Sequence, residues 1–348
     1  MLFERARIGL MSEIIKKAQS LAQNRCQYFT REGARCKMNA IQSHTLQKKG
    51  PLASIAEESH VLKVGEPLRA SHPDERELFY RIGLRKASSF PAFCAEHDSE
   101  LFRPIETGDF DLTRGNLLRL AIRAVAMENY KKLVMVAMFD EMMRRKDDLL
   151  NPDTEFMRLS RKGAAIAVTA GEKRIRELFS DLHRGPNGRL LYVAARLEGI
   201  LPIAVTGAFD PEISMGGQVL FHEDPSKMRW NYLFTFVGNI GHSANLVCGG
   251  YQKYRNHRLL PFLEEIADRQ SFVSRFCAMS LAYCENVYVK PSFVYALSPS
   301  EQTVYRRLAV SGLEVGWRNS TDLALRPTIP EPSIKELVVD LTGSHIAP

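Results

Sequence analysis

Residues 25–50 read RCQYFTREGARCKMNAIQSHTLQKKG and place Cys26, Cys36, a Ser43-His44 pair and six Lys/Arg side chains in twenty-six positions. Nine residues separate the two cysteines, Gly33 among them, so the loop can double back and present both thiols to one ion. A second pair of donors arrives at Cys94 and His97 in FCAEHDSELF, with the two-residue spacing of ligands on the first turn of a helix. Cys26, Cys36, Cys94 and His97 together make a Cys₃His set, which suits tetrahedral zinc rather than magnesium or calcium. The competing explanation is a group of buried free cysteines.

A chain of 348 residues is longer than most single cores, so two or three domains are expected. A 45% hydrophobic and 25% charged composition is that of a soluble globular protein. No apolar run reaches the roughly eighteen residues that a membrane-spanning helix needs. The N-terminal MLFERARIGLMSEIIKKAQ carries charges among its apolar positions and has no small-residue cleavage site, so a secretory signal is not expected and a cytoplasmic protein is. In a reducing compartment the first three cysteines are expected to bind metal, and Cys248, Cys277 and Cys284 to be buried. Residues 1–50 hold ten Lys/Arg against three Asp/Glu, and 10 − 3 = +7 equals the net charge of the whole chain. Such a basic segment fits a polyanion partner, although a merely solvated basic face has the same composition.

Helical spacing predicts a short amphipathic helix over residues 1–24, and residues 25–106 break into Gly, Pro, Ser and isolated apolar pairs, as in a small module held by metal. The stretch from Leu112 to Leu150 is helical by period, with Asp111 or Thr113 able to cap it, and a second helix is expected from about Pro152 to Leu182. After the turn His183–Gly188, the runs RLLYVAARLEG, LPIAVTGAF, GQVLFHE, YLFTFVGNIG and HSANLVCGGYQ read as strands. Helix is expected again from about His257 to Leu308, before a proline-containing tail. The predicted class is α+β, with boundaries near Thr107 and Gly185. These separate a zinc-bound treble-clef-like module (1–106), a helical connector (107–184) and a C-terminal mixed α+β domain (185–348).

From Arg25 to about Glu106 these residues resemble the HNH endonuclease type of treble-clef zinc module. That resemblance implies His44 as the general base that activates water and Asp98 as the ligand of a catalytic Mg²⁺ or Mn²⁺, with Cys26, Cys36, Cys94 and His97 as the structural zinc set. The first knuckle here is Cx₉C rather than CxxC, forty-nine residues separate His44 from Cys94, Ser43 stands in the place of an acidic neighbour, and Asp98 in that of His or Asn. The blocks SHTLQKKGPLASIAEESHVL and ASSFPAFCAEHDSELFRPIE are also similar to blocks in a set of bacterial proteins without an assigned activity.

Phosphodiester hydrolysis needs an activated water, a cation to offset transition-state charge and positive side chains to hold the strand. His44, an Asp98-bound cation and the cluster Arg31, Arg35, Lys37, Lys48 and Lys49, with Arg25, could supply them. Equally, His44 could be a zinc ligand or a core residue, and Asp98 a helix cap or a solvated carboxylate. The expected function is therefore a metal-dependent nuclease acting on DNA or RNA, with a setting in bacterial defence by analogy alone. The alternative is a non-catalytic, zinc-stabilised nucleic-acid-binding or sensor protein, with a protein partner or a second copy as further partners. His60 and His72 are expected at the surface, TGAFDPEISMGGQ in a loop, and His242-Ser243 in a turn between two strands.

Overall fold

The computed structural model describes residues 2–22, 25–65, 78–106, 110–145, 154–185, 190–211, 213–220, 233–251, 259–311 and 324–342. Helix α1 (Leu2–Leu21) is followed by β1 (Gln42–His44), helical turns at Lys48–Leu52 and Ala53–Ile55, then β2 (His60–Val64), β3 (Phe79–Gly83) and β4 (Ser89–Pro91). Three helices come next, α2 (Ala95–Glu106), α3 (Arg114–Arg145) and α4 (Thr154–Arg184). Strands β5 (Leu190–Leu197), β6 (Ile203–Phe209), β7 (Leu233–Ile240) and β8 (Ser243–Tyr251) precede α5 (Leu260–Ala267), α6 (Phe272–Tyr283), β9 (Val287–Val289), α7 (Pro291–Tyr295), α8 (Pro299–Ser311) and β10 (Ile334–Asp340).

Eight strands form one sheet in the order β10-β5-β8-β7-β6-β9-β2-β3, antiparallel at every step. Side chains alternate across a strand, and here both faces are covered. Leu191, Val193, Ala195 and Leu197 of β5 enter a core shared with α5, α6 and α8, whereas Leu190, Tyr192 and Ala194 enter the core beneath α2, α3 and α4. Burial on both faces explains why the strand runs are almost continuously apolar rather than alternating. All seven residues of β6 are buried.

The two long helices lie antiparallel. Asp140 of α3 pairs with Arg161 of α4, and Asn129 of α3 lies against Gly171 of α4. A Cβ at Gly171 would stand 2.6 Å from Asn129 Oδ1, so glycine permits the close approach. Thr113 is the cap expected at the start of α3, its Oγ1 accepting the Asn116 N–H at 3.4 Å.

Three expectations about elements need correction. The stretch taken as helix from His257 to Leu308 contains β9, whose three residues are too few to show a period. The proline-rich tail contains β10, which pairs along β5. Within GQVLFHE the described residues make only the isolated bridge Ile213↔Val219, because Ser214 and Gly216 are drawn into a tight loop by the Glu265 carboxylate; the remainder, like His72 and Thr107, lies outside the described residues. Strands β2 and β3 extend the same sheet as β5–β10, so the sheet runs across the positions expected as boundaries. A buried network seals that junction: Asn286 Nδ2 donates to Thr45 Oγ1 at 3.0 Å and to Ser88 Oγ at 2.8 Å, and Tyr288 OH donates to Asn286 Oδ1 at 2.8 Å. No helix among the described residues is long and apolar enough to cross a membrane.

Candidate metal centre

The loop between Cys26 and Cys36 folds back as an antiparallel hairpin. Bridges pair Arg25 with Asn39 and Phe29 with Arg35, and the tip turns through Gly33 at φ +85°, a left-handed conformation that glycine adopts freely. The Cys26 N–H donates to Met38 O at 3.0 Å and the Cys36 N–H to Tyr28 O at 2.9 Å, which brings the two thiols to one end of the hairpin. This segment is then zipped to the residues before Cys94, through Gln27 N–H to Ala92 O and Ile41 N–H to Phe93 O, both at 2.8 Å. Helix α2 starts immediately afterwards and carries His97 in its first turn.

The ligand atoms of Cys26, Cys36, Cys94 and His97 consequently lie within 4.8 Å of one another. His97 Nδ1 is 3.6 Å from Cys26 Sγ and 3.1 Å from Cys94 Sγ. Tetrahedral bonds of about 2.3 Å to sulfur and about 2.0 Å to nitrogen would set such atoms about 3.6 Å apart, so the donors fit a zinc-sized ion. Tyr28 stacks on the His97 ring at 3.7 Å between centroids and fixes its plane. Burial pushes the Cys26 thiol up to about 12, with Cys36 and Cys94 adding to the rise and backbone hydrogen bonds from Cys94 and Tyr28 opposing it. A bound cation reverses that preference by stabilising the thiolates, and its binding releases protons. The cluster is thus a Cys₃His set that could hold a structural metal such as zinc. The other three cysteines divide: Cys248 and Cys277 are buried in the core, and Cys284 is half-buried.

His44 ends β1, which pairs antiparallel with β4 in the register His44↔Ser89, and β4 leads through Cys94 into α2. Asp98 sits one residue beyond His97, its N–H donating to Cys94 O at 2.8 Å. His44 Nε2, Asp98 Oδ1 and Ser43 Oγ are buried atoms without a hydrogen-bond partner among the described residues. The His44 pKa lies below the usual imidazole value chiefly because of burial; Arg123 and Lys48 push the same way, and Asp98 and Glu106 oppose them. Arg123 and Glu106 were not anticipated as neighbours of His44. The signal available was a charge inside the apolar run LAIRAVAM of α3.

The five basic residues are not equivalent. Arg35 is tied down, donating to Glu172 Oε1 at 3.1 Å and to Cys26 O at 3.0 Å, so it braces the hairpin against α4. Arg31, Lys37, Lys48 and Lys49 are exposed and make no ion pair among the described residues. His60 holds Glu58 O at 2.7 Å near the surface, and His242 lies in the two-residue turn between β7 and β8. No family profile matches the chain, and neither a curated protein nor a solved structure is similar to it.

Proposed function

We propose that the protein is a metal-dependent nuclease of the HNH type, with His44 as general base and Asp98 as ligand of a divalent cation. The observation that carries this is the order β1, β4, α2 beside the Cys₃His cluster, with an orphaned imidazole nitrogen at the end of the first strand and an orphaned carboxylate oxygen in the first turn of the helix. A buried polar atom without a partner is costly, and groups of this kind persist where a ligand completes them. In the reaction, a water oxygen bonds to phosphorus as the bond to the leaving sugar oxygen breaks, and His44 Nε2 takes the water proton. Mg²⁺ or Mn²⁺ held by Asp98 would supply charge to offset the phosphorane-like transition state. The zinc-bound treble-clef scaffold belongs to the same proposal, and a setting in bacterial defence rests on the resemblance alone.

General-base assistance contributes about 10²–10⁴-fold in rate, so His44→Ala should abolish most Mg²⁺- or Mn²⁺-dependent cleavage of DNA or RNA while zinc content and folding stay unchanged. A mutant that loses zinc and unfolds makes His44 structural, and a fully active one places the chemistry elsewhere.

The second proposal, a non-catalytic zinc-stabilised nucleic-acid binder or sensor, is favoured by the contrast between the shielded His44 Nε2 and the exposed Arg31, Lys37, Lys48 and Lys49, which make no ion pair among the described residues. Each of these four charges removed should lower the slope of log K against log salt by about one unit. Arg35→Ala, by contrast, should act through stability, because its guanidinium is already engaged. Binding that ignores salt concentration would count against both functions.

A further inference from the structure

Asp98, Phe102 and Glu106 are spaced i, i+4 and i+8 on α2 and therefore share one face of that helix, about one turn apart at each step. Arg123 crosses this face from α3. Its guanidinium carbon lies 3.8 Å from the centroid of the Phe102 ring, and its Nη2 donates to Glu106 Oε1 at 2.5 Å. The residue is only 3% exposed, yet its Nε has no hydrogen-bond partner among the described residues. A structural ion pair with Glu106 accounts for Nη2 and leaves Nε unexplained. The neighbouring orphans are of a different kind. Asp98 Oδ1 is an acceptor, which a cation can satisfy; a guanidinium N–H only donates and needs an acceptor, best an anionic one.

We propose that Arg123 is the phosphate-binding group of the His44 site, its Nε edge taking an anionic phosphate oxygen one helical turn from Asp98. This deepens the nuclease proposal and rests on it for the substrate class. With a cation on the carboxylate side and a guanidinium on the other, a phosphate group would be gripped by opposite flanks of the α2 face while His44 addresses it from β1. Arg123 then contacts the reacting group itself, and its stacking on Phe102 sets the plane from which it donates.

The test uses the intact zinc-loaded protein, with isotope labels on arginine and histidine side chains, and two probes: inorganic phosphate and a short single-stranded oligonucleotide. The Arg123 Nε–H and the His44 ring resonances should move together and saturably with either probe. Arg123→Gln should weaken both titrations at least about tenfold, and remove about 10²-fold or more of any cleavage rate, as loss of one preorganised oxyanion donor does. Arg123→Lys, which keeps the charge but not the planar fork, should fall between the two. An Arg123 Nε–H that stays still while phosphate binds elsewhere overturns the assignment, and this result needs no variant to fold. Cleavage that persists in Arg123→Gln with unchanged probe affinity overturns it too, while leaving the nuclease proposal standing. A response to inorganic phosphate alone supports the anion site and counts against nucleic acid as its occupant.

Discussion

Histidine 44 shows how burial and charge set a side chain's chemistry together. Desolvation holds its imidazole neutral, and Arg123 and Lys48 reinforce this against the carboxylates of Asp98 and Glu106. A base neutral at physiological pH can accept a proton there, so any cleavage that depends on it should show an acidic limb with an apparent pKa below the ordinary value of about 6.5. The same depression has a consequence for stability. The unfolded chain takes up a proton near about pH 6.5 and the folded one only at lower pH, so stability is lost as pH falls from about 6.5 through the folded value. Denaturant unfolding at stepped pH should therefore show a steeper acid loss in wild type than in His44→Gln. Superimposable profiles would mean that His44 titrates alike in both states. His44 and Asp98 are proposed from sequence through the resemblance of residues 25–106 to an HNH module, and Asp98 also follows the donor His97 directly. Arg123 could not be assigned to the same site, since seventy-eight residues separate it from His44 and only packing of α3 on α2 joins them.

Among the elements, the hairpin of residues 25–39 carries Cys26 and Cys36, and the pair β1–β4 leads through Cys94 into the first turn of α2 with His97. Each is too short to hold its shape by propensity, and a metal that joins donors from two of them would stabilise the folded arrangement directly. Purified protein should contain about one zinc per chain by elemental analysis, as a closed four-ligand set predicts. Chelation should raise hydrogen exchange in residues 25–44 and 89–98 while β5–β8, buried on both faces, keep their protection. A metal-free protein with undisturbed exchange in those segments would remove the cluster's structural role. The spacing of Cys26, Cys36, Cys94 and His97 was legible because ligand chemistry is local to a few residues. The three-residue β9 and the C-terminal β10 were not: their pairing partners are distant in sequence, and strand formation there comes from the edges of β6, β2 and β5 that receive them.

Across the whole molecule the sheet ties the two ends of the chain together. Strand β2 pairs with β9 and carries β3 on its other edge, and Thr45, Ser88, Asn286 and Tyr288 close a buried polar network at the seam. Removing residues 1–106 would expose the β9 edge and take away Thr45 and Ser88, the two acceptors of the Asn286 Nδ2 amide. A fragment of residues 107–348 should therefore be recovered aggregated or unfolded, as judged by circular dichroism and size exclusion. A monomeric, cooperatively melting fragment would show that the C-terminal part folds by itself. The donor set, the long helices and the four strands β5–β8 were decided by local properties: side-chain chemistry, a 3.6-residue period and β-rich apolar runs between turn residues. Which strands neighbour one another, which basic side chains are left unpaired and which buried polar atoms converge beside His44 were decided by tertiary packing. These are contacts between segments distant along the chain, and no short-range periodicity encodes them.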